Sequence, residues 1–181
     1  MSLLADTVWP DVPAQRTVLL VPVGSTEQHG PHLPLDTDTV IAQAVASRVA
    51  ELLEGDDDRI LVAPALSYGS SGEHQAFPGT CSVGTEALRQ VLVELVRSAR
   101  TWATRVVLVN AHGGNVVALR GAVTQLAGEG HDVAWVACRT EDVDLHAGRT
   151  ETSLLLHLQP WNVRVHRAEP GCTEPRPAPK R

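Results

Sequence analysis

The chain is poor in aromatic residues: its 181 residues include one phenylalanine, Phe77, one tyrosine, Tyr68, and four tryptophans. Proteins that bind single-stranded nucleic acid stack bases on aromatic rings, and few rings are offered here. A basic surplus is missing too. Fifteen Lys and Arg stand against 21 Asp and Glu, for a net charge of −6. Without a basic face little counterion release can drive binding to a phosphate backbone, so no nucleic-acid partner is expected. Cysteine is scarce and odd in number. Cys81, Cys138 and Cys172 are too scattered for a disulfide framework or a paired metal knuckle, which points to a reducing, cytoplasmic setting. No run reaches the roughly 18 apolar residues of a membrane span. The acidic start, MSLLADTVWPD, has neither the basic flank nor the apolar stretch of a signal peptide. No membrane partner is expected.

What remains is an aliphatic chain, 43% hydrophobic and long enough for one domain with a core of Leu, Val and Ala. The run 17–23 (TVLLVPV) is compact, apolar and ended by Gly24, which reads as a buried strand. Ile41, Val45, Val49 and Leu52 recur at helical spacing and predict a helix over 38–54. Further strands are expected at 59–63, 105–110 and 132–138. Leu88, Val91, Leu92, Leu95, Ala99 and Trp102 mark a long amphipathic helix with Thr85 as its N-cap. Leu119, Val123 and Leu126 mark another, and 150–158 reads as a short helix stopped at Pro160. Strands alternating with helices imply βαβ crossovers. The fold class is therefore α/β, a three-layer α/β/α sandwich around a mostly parallel central sheet. One domain is expected over 1–166, followed by an irregular proline-rich tail over 167–181.

In open parallel sheets, ligands collect beyond the carboxyl ends of the strands. After the first predicted strand come Glu27, His29 and Asp38; after the third, Asn110, His112 and Asn115; after the fourth, His146 and Glu151. Glu27 and His29 are two apart, so extended backbone sends both to one side. Asp38 either caps the following helix or reaches a cation. Mixed carboxylate and imidazole donors suit Zn, Mn or Fe(II) rather than Ca or Mg, and such an ion brings the pKa of a water toward neutrality. Each residue alone reads more simply as loop polarity or a helix cap. Their convergence at three strand ends, among glycines, is what points to a metal site.

Other polar residues carry weaker signals. Glu73 and His74, in the loop 67–80, read either as substrate contacts or as loop hydrogen-bonders, and Asn110 and Asn115 either as supports for His112 or as helix caps. His32 is expected to steady the first loop, His131 and His166 to be solvated, and His157 to be a packed or capped helix residue. Asp56, Asp57 and Asp58 read as a solvated turn, and Cys81 as a buried, inert thiol.

The strings VGSTEQHGPHLP…DTD, SSGEHQAFPGT, NAHGGN and HAGRTETS resemble the creatininase family of metal-dependent amidohydrolases, over about residues 8–174. The resemblance implies two divalent ions and gives roles to particular residues. Glu27 and His29 match the EQH ligands, Asp38 the carboxylate that bridges the ions, His112 the NxH ligand and His146 the proton-shuttling histidine. Glu151 matches the glutamate of the HxGxxETS segment. Creatininase has a glutamate two positions after the NxH histidine; Gly114 stands there, and Glu151 is the candidate replacement. Asp142 and Val143 stand where creatininase has a substrate-contacting Trp-Asp pair, so creatinine is not the expected substrate.

The strings HGPHLPLDTD, GEHQAFPGT and LHAGRTETS are most similar to a branch of the family that removes a modified C-terminal Val-Tyr unit from a ribosomally made precursor. A modified precursor peptide is thus an implied partner. Further copies of the chain are another, because the family forms ring-like oligomers, often hexamers. Family members continue past the ETS helix into a Gly-rich loop and a closing helix, where this chain turns proline-rich after Pro170. Three alternatives compete: another family amidase acting on a cyclic amide or a formamide, a non-catalytic metal-binding module, and a serine hydrolase using Ser25 or Ser70. The last lacks a GxSxG elbow.

Overall fold

The computed structural model describes residues 2–53, 59–139 and 146–170. Five strands form one parallel sheet: β1 (Ser2–Leu3), β2 (Thr17–Val23), β3 (Arg59–Val62), β4 (Arg105–Asn110) and β5 (Val133–Ala137). Their order across the sheet is β1-β3-β2-β4-β5. The two longest apolar runs, β2 and β4, lie at its centre, paired from Val18↔Arg105 to Val23↔Asn110.

Four helices cover this sheet: α1 (Thr37–Leu52), α2 (Thr85–Ala99), α3 (Val116–Gly128) and α4 (Arg149–Leu158). Successive strand residues face opposite ways. Leu19, Val21 and Leu108 accordingly pack with Leu88 and Leu92 of α2 and Leu119 and Leu126 of α3. Leu20 and Val109 pack with Ala46 and Ala50 of α1 on the other face, and Leu155 of α4 closes onto Val40 and Ile41. Each leucine fully buried in this way contributes roughly 1.5–3 kcal/mol. The result is the expected α/β/α sandwich. Because β3 and β4 flank β2 on opposite sides, the loops leaving the three strands diverge and open a crevice at the carboxyl edge of the sheet.

Several expectations are corrected. Thr85 is the first residue of α2 and not its cap: Gly84, at φ 78°, precedes it, and the Thr85 hydroxyl meets Ser70 Oγ at 3.0 Å. Trp102 lies past the end of α2, where its N–H donates to Ala99 O. The two-residue β1, paired with β3, is too short to show any periodicity. β5 is an edge strand, and α1 does not reach over it. Ala134 and Val136, which share a face with Val107 and Val109, are therefore exposed. Cys81 is exposed, on a loop held by its main chain, and His157 is exposed because two helical steps turn it away from the buried Leu155. His131 is half-buried beside Glu129, 3.7 Å away. His166 is solvated, as expected, and residues 167–170 are exposed. Asp56–Asp58, Asp142, Val143, Cys172 and the rest of the tail lie outside the described residues.

Candidate metal centre

The segment leaving β2 is pinned at both ends: Gly24 N–H donates to Leu66 O and Glu27 N–H to Leu35 O. A Cβ on Gly24 would run into the backbone of Thr39, so only glycine lets this segment lie against the first turn of α1. That approach brings Glu27 and His29, both fully buried, opposite Asp38. Asp38 caps nothing; its carboxylate turns into the crevice. One oxygen lies 3.1 Å from His29 Nε2, and the other lies 3.2 Å from His112 Nδ1 and accepts the Ser25 hydroxyl at 2.6 Å. Asp38 thus stands between two imidazoles from separate loops.

His112, just past β4, turns Nε2 toward Glu27 Oε2 at 3.3 Å. Its backbone is clamped by Asn110, which donates to His112 O and accepts from His112 N–H. Asn115 donates to Gly24 O and to Asn110 Oδ1 and accepts from Ser70 N–H. The two asparagines therefore lock the loops after β2, β3 and β4 together, and neither acts as a side-chain cap.

A second group closes over the first from the solvent side. His146 Nδ1 and His74 Nε2 lie 3.7 and 3.8 Å from the same oxygen of Glu27. Glu151, in the first turn of α4, accepts the Ala147 N–H and lies 4.0 Å from His29 Nε2. Glu73 is exposed on the turn beside His74. Among the described residues, three donor sets have their ligating atoms within 4.8 Å of one another: Glu27, Asp38 and His112; His29, His146 and Glu151; Glu27, His74 and His146. His32, by contrast, ties the first loop to α4 through Thr152 Oγ1 at 2.8 Å.

Sequence reasoning passed over Gln28. Its Nε2 lies 2.8 Å from His146 Nε2 and 3.0 Å from His74 Nδ1, while its Oε1 accepts the Gly30 N–H. Its place between Glu27 and His29 was the available signal. Ser25, weighed only as a nucleophile, is committed to Asp38, and Ser70 Oγ is paired with Thr85. Gly114 explains itself as well. A Cβ there would collide with Ser70 O and His112 Nε2, so a side chain at this position has no room beside the imidazole.

Charge is distributed unevenly over these groups. Burial raises the Glu27 pKa above its ordinary value, against the opposing pull of His112 and His29. Burial opposes charge on His29, but the hydrogen bond and negative charge of Asp38 outweigh it and lift the imidazole to about 9. Burial also works against ionised Asp38, yet His112 and His29 hold it well below its ordinary value. His112 is raised, against its own burial, mainly by Asp38. His146 moves the other way, down to about 4, through burial and the positive charge of His29 and His74.

These residues fit a divalent cation. Both Glu27 carboxylate oxygens are buried without a hydrogen-bond partner among the described residues. Leaving a carboxylate so is costly unless a cation accompanies it. Oxygen and imidazole donors together favour Zn, Mn or Fe(II), and Asp38 faces both imidazole groups.

Residues 5–180 match the creatininase family, described as creatinine amidohydrolase. The chain belongs to the creatininase family. Among its relatives is the mycofactocin precursor peptide peptidase of Mycolicibacterium smegmatis, 57% identical over 159 residues, which cover 87% of this chain and 64% of that protein. The chain thus spans a little under two thirds of that relative's length. The fold is also that of a manganese creatininase (TM-score 0.77, 31% identity) and of a creatininase mutant of Zn-Zn type (TM-score 0.78, 30% identity). Each match covers 97% of this chain and 81% of the other. No helix among the described residues is long and apolar enough to cross a membrane.

Proposed function

We propose that this chain is a metal-dependent amide hydrolase that releases the modified C-terminal Val-Tyr unit from a mycofactocin precursor peptide. The observation that carries the reading is the buried Glu27 carboxylate, whose unpartnered oxygens face His112 on one side and His74 and His146 on the other. Identity to a relative named for that peptidase activity supports the choice of substrate. Glu27, Asp38 and His112 would hold one divalent ion of Zn, Mn or Fe(II), and His29 and Glu151, with Asp38 beside His29, would hold a second. When bound, the ions polarise the scissile carbonyl and make a water acidic near neutral pH.

The remaining chemistry falls to the chain. Asp38 fixes the orientation of His29 and His112 from between them. His146 is neutral at pH 7, since its pKa lies near 4. At Nδ1, which faces the cluster, it takes up the proton released by water and returns it to the leaving nitrogen. On the far side of that ring, Nε2–H donates to the Gln28 main-chain O at 2.9 Å, which leaves Nδ1 free. Glu151 couples the N-terminus of α4 to the cluster in place of the carboxylate that Gly114 lacks. His74, with Glu73 at the mouth, contacts the substrate. The working form is a homo-oligomer, a hexameric ring, in the cytoplasm, where free thiols such as Cys81 persist.

Incubating the metal-loaded protein with the modified precursor releases the C-terminal fragment, detected by mass spectrometry. An intact precursor at full metal occupancy overturns the assignment. Release of formate, or opening of a cyclic amide, transfers it to a different amidase of the family.

A further inference from the structure

The chain's one phenylalanine is spent on its surface. Phe77 is 52% exposed, on the loop that follows β3, and its ring is in edge contact with His74, centroids 6.3 Å apart at 63°. His74 in turn stacks on His146 at 4.5 Å and 14°, and His146 meets His29 at 4.4 Å. Four rings therefore run without a break from the buried cluster to solvent. The two outer spacings lie within the range at which ring faces and edges attract.

The loop does not need the Phe77 ring to keep its shape. Phe77 N–H donates to His74 O, Thr80 N–H to Phe77 O and Cys81 N–H to Thr26 O. Thr80 Oγ1 accepts the Gln28 N–H at 3.2 Å. These bonds tie the loop to the segment bearing Glu27 and His29. The exposed ring is thereby held at a set position relative to the cluster, outside the hydrophobic cores.

We infer that Phe77 and the outer part of His74 form the subsite for an aromatic side chain of the substrate peptide, beside the amide that is cut. The inference rests on the peptidase reading and adds a specificity residue to it. An extended peptide advances about 3.3–3.6 Å per residue, so a residue one or two positions from an amide at the cluster comes alongside this row of rings. A π face there gains edge and stacking contacts that a methyl group does not.

The test uses the zinc-loaded chain and two short peptides of one sequence, ending in tyrosine or in alanine, with binding measured by calorimetry. The parent protein binds the tyrosine peptide more tightly. Phe77→Ala weakens that peptide about three- to tenfold, leaves the alanine peptide unchanged, and Phe77→Tyr restores binding. On the modified precursor, Phe77→Ala raises KM by a similar factor while kcat and bound zinc stay the same. Equal parental affinity for the two peptides, or equal effects of Phe77→Ala on both, overturns the subsite. Selective binding through Phe77 without cleavage of the precursor leaves the subsite standing and removes the peptidase reading instead.

Discussion

The site has an inner half and an outer half, built on different principles. Glu27, Asp38 and His112 are buried, anchored by the ends of central strands and the first turn of a core-packed helix. His74, His146 and Phe77 come from loops and remain partly or largely open to solvent. The inner half is held by charge: an aspartate between two imidazoles, in a place where unpaired charge is costly. Ring contacts and the amide of Gln28 hold the outer half. The contrast suits a reaction site. Affinity for a cation needs burial and rigidity, whereas admitting and releasing a peptide needs exposure.

The largest effect is expected from Asp38→Asn. Removing the charge leaves His29 and His112 without their common partner, and the metal-free protein should lose about 3 kcal/mol of stability in denaturant titrations. Metal analysis should show lost occupancy, and hydrolysis should fall more than about 100-fold. Retained metal and stability would mean that the two halves are not distinguished by shared charge.

His146→Gln sharpens the comparison from the other side. Activity should drop by roughly 10²–10⁴-fold, the usual contribution of a general acid or base, while bound metal and the denaturation midpoint stay near those of the parent. Loss of metal equal to that of Asp38→Asn would place His146 with the inner half.

The smallest effect is one of pH, read as the thermal midpoint of the metal-free protein. The raised pKa of His29 stabilises the fold fully below about pH 6.5, and that contribution fades as pH rises through about 9. His146 acts in the opposite sense. Its lowered pKa keeps the folded imidazole neutral, so stability is lost as pH falls from about 6.5 toward 4. Asp38 adds a further loss at lower pH, below its ordinary carboxylate value. The midpoint should peak near pH 6.5 and decline on both sides. In His146→Gln the decline between 6.5 and 4 should shrink while the alkaline decline persists. An unchanged acid limb would show that His146 does not titrate as its burial implies.

Much of the fold was legible because its central strands are continuous apolar runs and its helices carry apolar stripes. The strand predicted at 17–23 and that at 105–110 coincide with β2 and β4. Where patterning is short or one-sided, it misled. β1 is two residues long, β5 lies bare on one face because α1 stops short of it, and Cys81 and His157 are exposed at positions where local composition suggested packing. Within the site, Glu27, His29, Asp38, His112, His146 and Glu151 were all marked by their places after strands, and they do stand together. Gln28 and Phe77 were passed over as participants and Ser25 was weighed only as a nucleophile, since nothing in their immediate sequence shows what their side chains meet.

Local sequence by itself determined which segments become strands and helices, and that carboxylates and imidazoles follow the strands, because both properties depend on near neighbours and on spacing. Only the tertiary structure decided that one carboxylate of Asp38 faces two histidines, that Glu27 is sealed from water without a hydrogen-bond partner, and that a lone phenylalanine extends a row of imidazoles to the surface. Those relations join residues tens of positions apart. They exist only once the sheet order brings the ends of β2, β3 and β4 to a common edge and excludes water from the space between them.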